Sequence, residues 1–131
     1  MTSGFTFAKE EKLTGKSHID RLFGEGKSLG EYPFRVLYYF SEKPETFPAR
    51  ILIAVPGKKF KKATDRNRIR RRIREAYRLN RHLLTEESGK PIPCIHVGII
   101  YTGEAADIPF RDVENKIKTC LVRLNRLRHQ V

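Results

Sequence analysis

Residues 58–81 read KKFKKATDRNRIRRRIREAYRLNR, where twelve of the chain's 27 Lys and Arg residues face only two acids, Asp65 and Glu75. Ten of the twelve net positive charges therefore sit in under a fifth of the 131 residues. The apolar residues within it are periodic. At about 100° per residue, Ile69, Ile73, Ala76, Tyr77, Leu83 and Leu84 fall within a third of the helical circumference, which predicts an amphipathic helix with a core stripe, capped by Thr64 or Asp65. Opposite the stripe lie Asn67, Arg71, Arg74 and Arg78, flanked by Arg70 and Arg81 on one side and by Arg68 on the other.

Such an arginine ridge is unfavourable on its own, because like charges four residues apart destabilise a helix by a few tenths of a kcal/mol per pair. A bound anion compensates for that. The planar guanidinium matches phosphate oxygens bidentately, so arginine in place of lysine points to phosphate. Lys58, Lys59, Lys61 and Lys62 precede the helix, where the positive end of the helix dipole adds to anion binding. Asn67 has two open uses: hydrogen bonding a base edge or sugar, or satisfying backbone in the first turn.

Outward from this helix, 39% hydrophobic and 32% charged residues give a globular balance, and the length suits one domain, 1–131, with a core of its own. The longest apolar runs, around Ile51–Val55 and Ile95–Tyr101, are too short to span a bilayer, and the N-terminus lacks the apolar middle of a signal peptide. A cytoplasmic protein is expected. Cys94 and Cys120 lack C-x-x-C spacing and read as buried small hydrophobes rather than a disulfide. A net charge of +12 and a pI of about 10.1 call for a polyanionic partner, since solubility alone gives no reason to cluster the charge.

Ser17, with Asp20 three residues on, predicts the cap of a short helix whose apolar side is Ile19, Leu22 and Phe23 and which ends at Gly24 and Gly26. Phe34–Phe40 and Arg50–Val55 are rich in β-branched and aromatic residues and are expected to pair as antiparallel neighbours. Cys94–Tyr101 is a further strand, and Lys27–Leu29 a short one, giving about four strands. From Pro109 onward, Val113, Ile117, Cys120, Leu121, Leu124 and Leu127 predict a closing helix packed on the sheet. Its Lys116, Lys118, Arg123, Arg126 and Arg128 either extend the basic surface or form a solvated face.

A basic-region zipper is excluded, because Leu83-Leu84 runs into TEESGKP instead of heptads, and strand neighbours argue against a helix-turn-helix module. RNA fits better than DNA: phosphates and shape grip structured RNA, and aromatic side chains stack on single strands. Phe7, Phe23, Tyr38 and Tyr39 are candidates for stacking or for the core. No chemistry of the protein's own is visible. The acids near the motif are only Asp65 and Glu75, too few for a metal-dependent nuclease, and His18, His82, His96 and His129 are scattered. Cys94-x-His96 alone is a weak metal signal.

Lys58-Lys59, Ala63, Arg66-Asn67-Arg68-Ile69-Arg70-Arg71 and Ile73-Arg74-Glu75-Ala76-Tyr77 resemble the arginine-asparagine-arginine signature of the protein subunit of bacterial ribonuclease P. Phe7, Lys12-Leu13, the short helix ending at Phe23 and the order of the remaining elements extend the resemblance over nearly the whole chain. It implies a two-layer α/β (α+β) sandwich with a mixed sheet of about four strands and three helices, similar to the second domain of a small-subunit ribosomal protein. The strands flanking the motif helix would be parallel, with the left-handed βαβ crossover that the usual handedness rule excludes.

The family assists a catalytic RNA that removes the 5′ leader of precursor tRNA, so the expected partners are that RNA and the precursor tRNA, with no membrane and no DNA. Mg²⁺ would serve the holoenzyme, bound mainly by RNA, with none bound by the protein alone that the sequence shows, and no protein catalytic residue is expected. The resemblance assigns Lys58, Lys59, Lys62, Arg66, Asn67, Arg68, Arg70, Arg71, Arg74 and Arg78 to RNA binding, and Phe7, Phe23, Phe34 and Tyr38 to a leader cleft. Ile19 and Lys61 stand where the family often has an aromatic residue and a Gly, and Pro56-Gly57 ends the preceding strand early. Two other readings stay open: a ribosomal or chaperone-like RNA grip, and a basic helix with an exposed apolar stripe for a protein or membrane partner.

Overall fold

The computed structural model describes residues 11–41, 49–84 and 94–129. In chain order these form α1 (Lys16–Glu25), β1 (Lys27–Glu31), β2 (Phe34–Phe40), β3 (Ala49–Ala54), α2 (Ala63–Asn80) with a 3₁₀ turn (Arg81–Leu84), β4 (Ile95–Tyr101) and α3 (Phe110–Arg128). The strand order is β1-β2-β4-β3. β2 is antiparallel to both β1 and β4, and β3 is parallel to β4, so α2 forms the crossover between parallel neighbours. The mixed four-stranded sheet with three helices is the expected one. The expected pairing of β2 with β3 is not: β4 lies between them. Both strands are apolar enough for an interior or an edge position, and only the crossover through α2 inserts β4 there.

Side-chain alternation divides the sheet into two faces. One carries Phe34, Val36, Tyr38, Ala49, Ile51, Ile95, Val97, Ile99 and Tyr101, and packs on Ile69, Ile73, Ala76 and Tyr77 of α2 and Val113, Ile117, Cys120, Leu121 and Leu124 of α3. The stripe read from the sequence is thus the buried side of α2. Asn80 also lies on it, buried, and its amide donates to the Ala76 carbonyl at 2.8 Å and to Glu114 Oε2 at 2.9 Å, which joins α2 to α3. The other face has a smaller cluster of Leu13, Leu22 and Leu37, with Ile19, Tyr39, Leu52 and Ile100 packed against it under α1.

The helix starts differ from those expected. α1 begins after Gly15, whose φ of 91° lies in the left-handed region that glycine enters without penalty, so Ser17 falls inside the first turn. α2 begins after Lys62 with no side-chain cap, and Asp65 sits in its first turn, where a carboxylate favours the helix dipole. The basic residues of α3 divide by position. Arg123 donates to the Gly30 carbonyl at 2.9 Å and pairs with Glu31 at 2.8 Å, and Lys116 pairs with Glu31 at 3.7 Å. Arg128 is buried and donates to the Leu84 carbonyl. Lys118 and Arg126 are exposed.

Cys94 and Cys120 are free and buried. Burial pushes the Cys120 thiol up to about 12, with the nearby Glu31 carboxylate adding to the effect. A thiol pKa raised in the folded state favours folding below the unfolded thiol's value of about 8.5, and that contribution falls as pH rises toward the folded value. Stability measured by urea unfolding is therefore expected to fall by about 1–2 kcal/mol from this group between about pH 8.5 and pH 10. The fall should be smaller in Cys120→Ala; identical pH slopes for the two proteins would remove Cys120 as its source.

Candidate nucleic-acid interface

α2 lies beside the β3 edge of the sheet and turns its charged side outward. Asn67, Arg71 and Arg74 are exposed along it, as are Lys58, Lys59, Lys61 and Lys62 in the segment before the helix. The buried stripe forces this arrangement: with Ile69, Ile73, Ala76 and Tyr77 facing the sheet, residues half a turn away must face solvent.

The cations differ in how far they are held internally. Arg66 turns back to donate to the carbonyls of Phe60 at 2.7 Å and Lys61 at 2.9 Å, bracing the loop that leads into the helix. Arg68 lies 3.7 Å from Asp65 and 4.0 Å from Asp107. Arg72 pairs with Asp107 at 2.7 Å, and this guanidinium holds the Asp107 carboxyl below its ordinary range. Lys59 bonds Glu104 at 2.9 Å, Arg78 pairs with Glu75, and Arg81 pairs with the buried Glu11. Arg81 thus ties the segment before α1 to the end of α2 and does not flank an open ridge.

Among the described residues Arg71, Arg74, Lys58 and Lys62 enter no ion pair. Asn67 is exposed, and its Oδ1 accepts from Arg70 Nη1 at 3.2 Å rather than from backbone of the first turn, which holds both side chains on the outer surface. The exposed set is therefore narrower than the ten residues assigned from the sequence. It centres on Arg70, Arg71 and Arg74, with Lys58 and Lys62 at the N-terminal end.

A hollow of about 250 Å³ adjoins this ridge, lined by Lys12, Leu13, Thr14, Ile51, Leu52, Ile53, Arg70 and Arg74. Leu13 N–H donates to the Ile51 carbonyl at 2.9 Å, holding the segment before α1 alongside β3 so that exposed Lys12 stands near the arginines of α2. Lys12 was absent from the assigned residues. Charge patterning along one helix cannot show that a distant segment adds a cation to it. A larger hollow of about 490 Å³ lies near Tyr32, Tyr101 and Asn115, but its lining carries two acids, Glu104 and Asp112, against one cation, Lys116, a poor balance for phosphate.

The aromatic residues assigned to a cleft are dispersed. Phe7 lies outside the described residues. Phe34 is 1% exposed and Tyr38 8% exposed, both on the sheet face covered by α2 and α3. Phe34 contacts Tyr101, which also meets Phe60, and Tyr38 contacts Phe40. Neither Phe34 nor Tyr38 lines a surface, because the period of two places them on the core side. Tyr39 points to the α1 face but lies under Arg21, 5.8 Å from its guanidinium, and beside His96. Phe23, 53% exposed, stands one turn after Ile19 on α1 and is available for stacking.

The ribonuclease P family model matches residues 7–125. The chain belongs to the ribonuclease P protein family. It is 37% identical over 127 residues to the ribonuclease P protein component of Porphyromonas gingivalis, covering 95% of this chain and 91% of that one. The corresponding protein of Chlorobaculum tepidum is 37% identical over 107 residues, covering 76% of this chain and 69% of the other. The fold matches the ribonuclease P protein from Thermotoga maritima with a TM-score of 0.68 and 27% identity, over 86% of this chain and 96% of that one. That family's endoribonuclease processes tRNA, and the basic outer side of α2 is the feature of this fold suited to an RNA partner.

No helix among the described residues is long and apolar enough to cross a membrane. Nor do the described residues contain a group of three or more His, Cys, Asp and Glu placed to hold a metal ion; Cys94 and His96 do not form one.

Proposed function

We propose that this chain is the protein subunit that binds the catalytic RNA of ribonuclease P through the outer side of α2 and holds the 5′ leader of precursor tRNA in a trough beside α1. In that role it promotes endonucleolytic removal of the leader to leave the mature tRNA 5′ end. The carrying observation is the exposed Arg71–Arg74 pair on a helix whose opposite side is fully used by the core. These guanidinia have no internal partner among the described residues, and their fork geometry suits phosphate.

The trough is the part of the α1 face that α1 leaves open, with Lys12, Arg70 and Arg74 at its β3 end, and Phe23, exposed on α1, is the aromatic residue available to it. The partners are RNA on both counts, and a cytoplasmic setting follows from meeting precursor tRNA. Mg²⁺, held mainly by the RNA, would supply the hydrolytic chemistry. The protein's part is to neutralise phosphates and position the leader, which lowers the Mg²⁺ needed for folding and substrate binding.

Single-turnover cleavage of precursor tRNA by a bacterial ribonuclease P RNA, at low Mg²⁺, tests this with and without the protein. Lower Mg²⁺ demand and tighter substrate binding are expected, the latter only when the leader is several nucleotides long. RNA binding with unchanged cleavage would make α2 a general RNA grip and overturn the proposal.

A further inference from the structure

The register of the sheet places three rows of residues on the α1 face. Tyr39, His96 and Arg50 form one, Ser28, Leu37, Gly98 and Leu52 the next, and Gly30, Arg35, Ile100 and Ala54 the third. α1 covers the first two: His18 meets His96 edge-on with ring centroids 5.5 Å apart, Arg21 lies over Tyr39, and Leu22 packs so closely on Gly98 that a β-carbon there would come within 3.2 Å. The third row is the most open. Arg35 and Gly30 are exposed, Ile100 and Ala54 are half-buried, and nothing lies within 4 Å of where a Gly30 side chain would start.

Arg35 is unusual in this setting. β2 is an interior strand, so an arginine there has no role in protecting a sheet edge. None of the described strand residues on the α1 face is acidic, and Glu31, the nearest acid in β1, faces α3, where it binds Lys116 and Arg123. On α1, Asp20 and Glu25 are engaged by Lys16 and Arg21. Arg35 thus enters no ion pair or hydrogen bond among the described residues. It stands about 10 Å from Ala54 across two strand spacings, with the apolar floor of Ile100 between them, and the Lys12, Arg70 and Arg74 cluster lies beyond β3.

We infer that Arg35 is a phosphate contact for the 5′ leader, at the end of the trough opposite Lys12, Arg70 and Arg74. This rests on the proposed leader site and adds a specific residue to it. An extended RNA strand crossing β3, β4 and β2 meets cations at both ends and an apolar floor between them. Bases over that floor and backbone at its ends satisfy both kinds of surface.

The test uses the reconstituted holoenzyme with precursor tRNAs whose leaders lengthen one nucleotide at a time, and with single neutral methylphosphonate linkages along the leader. Arg35→Ala is expected to weaken binding of a long-leader substrate by about five- to tenfold. It should leave binding of a leaderless tRNA, and affinity for the RNA subunit, unchanged; Arg35→Lys should recover part of the loss. One methylphosphonate should weaken the wild type and have no further effect on Arg35→Ala. If the wild type gains affinity with leader length and Arg35→Ala gains as much, the inference fails while the leader site stands. If the wild type gains nothing, the leader site itself is wrong. A loss that is equal with and without a leader makes Arg35 a contact to the RNA subunit and also overturns the inference.

Discussion

Ile73→Asp is expected to leave no folded protein. Ile73 is fully buried at the centre of the α2 stripe, within the main core cluster. Removing its aliphatic side chain costs about 2–5 kcal/mol, and a carboxylate in its place must be desolvated or protonated, which adds several kcal/mol more. The sum reaches the whole stability of an ordinary domain, about 5–15 kcal/mol. Far-UV circular dichroism should show no cooperative thermal transition for Ile73→Asp. Ile73→Val, which removes one methylene, should melt cooperatively with a loss of about 1 kcal/mol. A folded Ile73→Asp protein would mean that the stripe faces solvent, and the reading of α2 as a helix presenting an apolar face to a protein or membrane would revive.

Arg71→Ala combined with Arg74→Ala is expected to preserve the fold and remove most of the affinity for the catalytic RNA. Both side chains are exposed, and neither pairs with another described residue, so little stability depends on them. A hydrogen bond to a charged group contributes about 1.5 kcal/mol or more, so losing two predicts roughly a hundredfold weaker binding. Each neutralised phosphate adds about 0.7–0.9 to the slope of log affinity against log salt, so the double variant should flatten that slope by about 1.5. Arg72→Ala is the internal comparison. Its guanidinium is held by Asp107 and the Ile108 carbonyl, so its loss should affect the melting temperature more than the salt slope. An unchanged slope in the double variant would place the RNA elsewhere on the protein.

Much of α2 is legible in the sequence, because its two sides obey one local rule. Burying Ile69, Ile73, Ala76 and Tyr77 sends Asn67, Arg71 and Arg74 outward by the geometry of a single helix, whatever it packs against. Asn80 shows the limit of reading by hydropathy. It sits at the middle of the same stripe, yet its buried amide is satisfied there by the Ala76 carbonyl within the helix and by Glu114 on α3.

The strands carried less information. Alternation says that Phe34 and Tyr38 share a face, and that Leu37 and Tyr39 share the other, but not which face two helices cover. That choice put Phe34 and Tyr38 into the core and left Phe23, of the aromatic residues assigned to the cleft and described, as the exposed one.

The sequence by itself determined the helix that carries the basic side, the side of it that is buried, the approximate positions of the strands and the family to which the chain belongs. These depend on period, composition and a local motif, all of which are properties of neighbouring residues. Only the tertiary structure decided which cations remain open to a ligand. Arg68, Arg72 and Arg81 are indistinguishable from Arg71 and Arg74 as letters, and they differ because Asp107 and Glu11 are brought to them by the fold. Tertiary structure also set Arg35 and Ile100 in one row and carried Lys12 to the arginines of α2. Contacts across many residues of chain arise from how elements pack, and no local period encodes them.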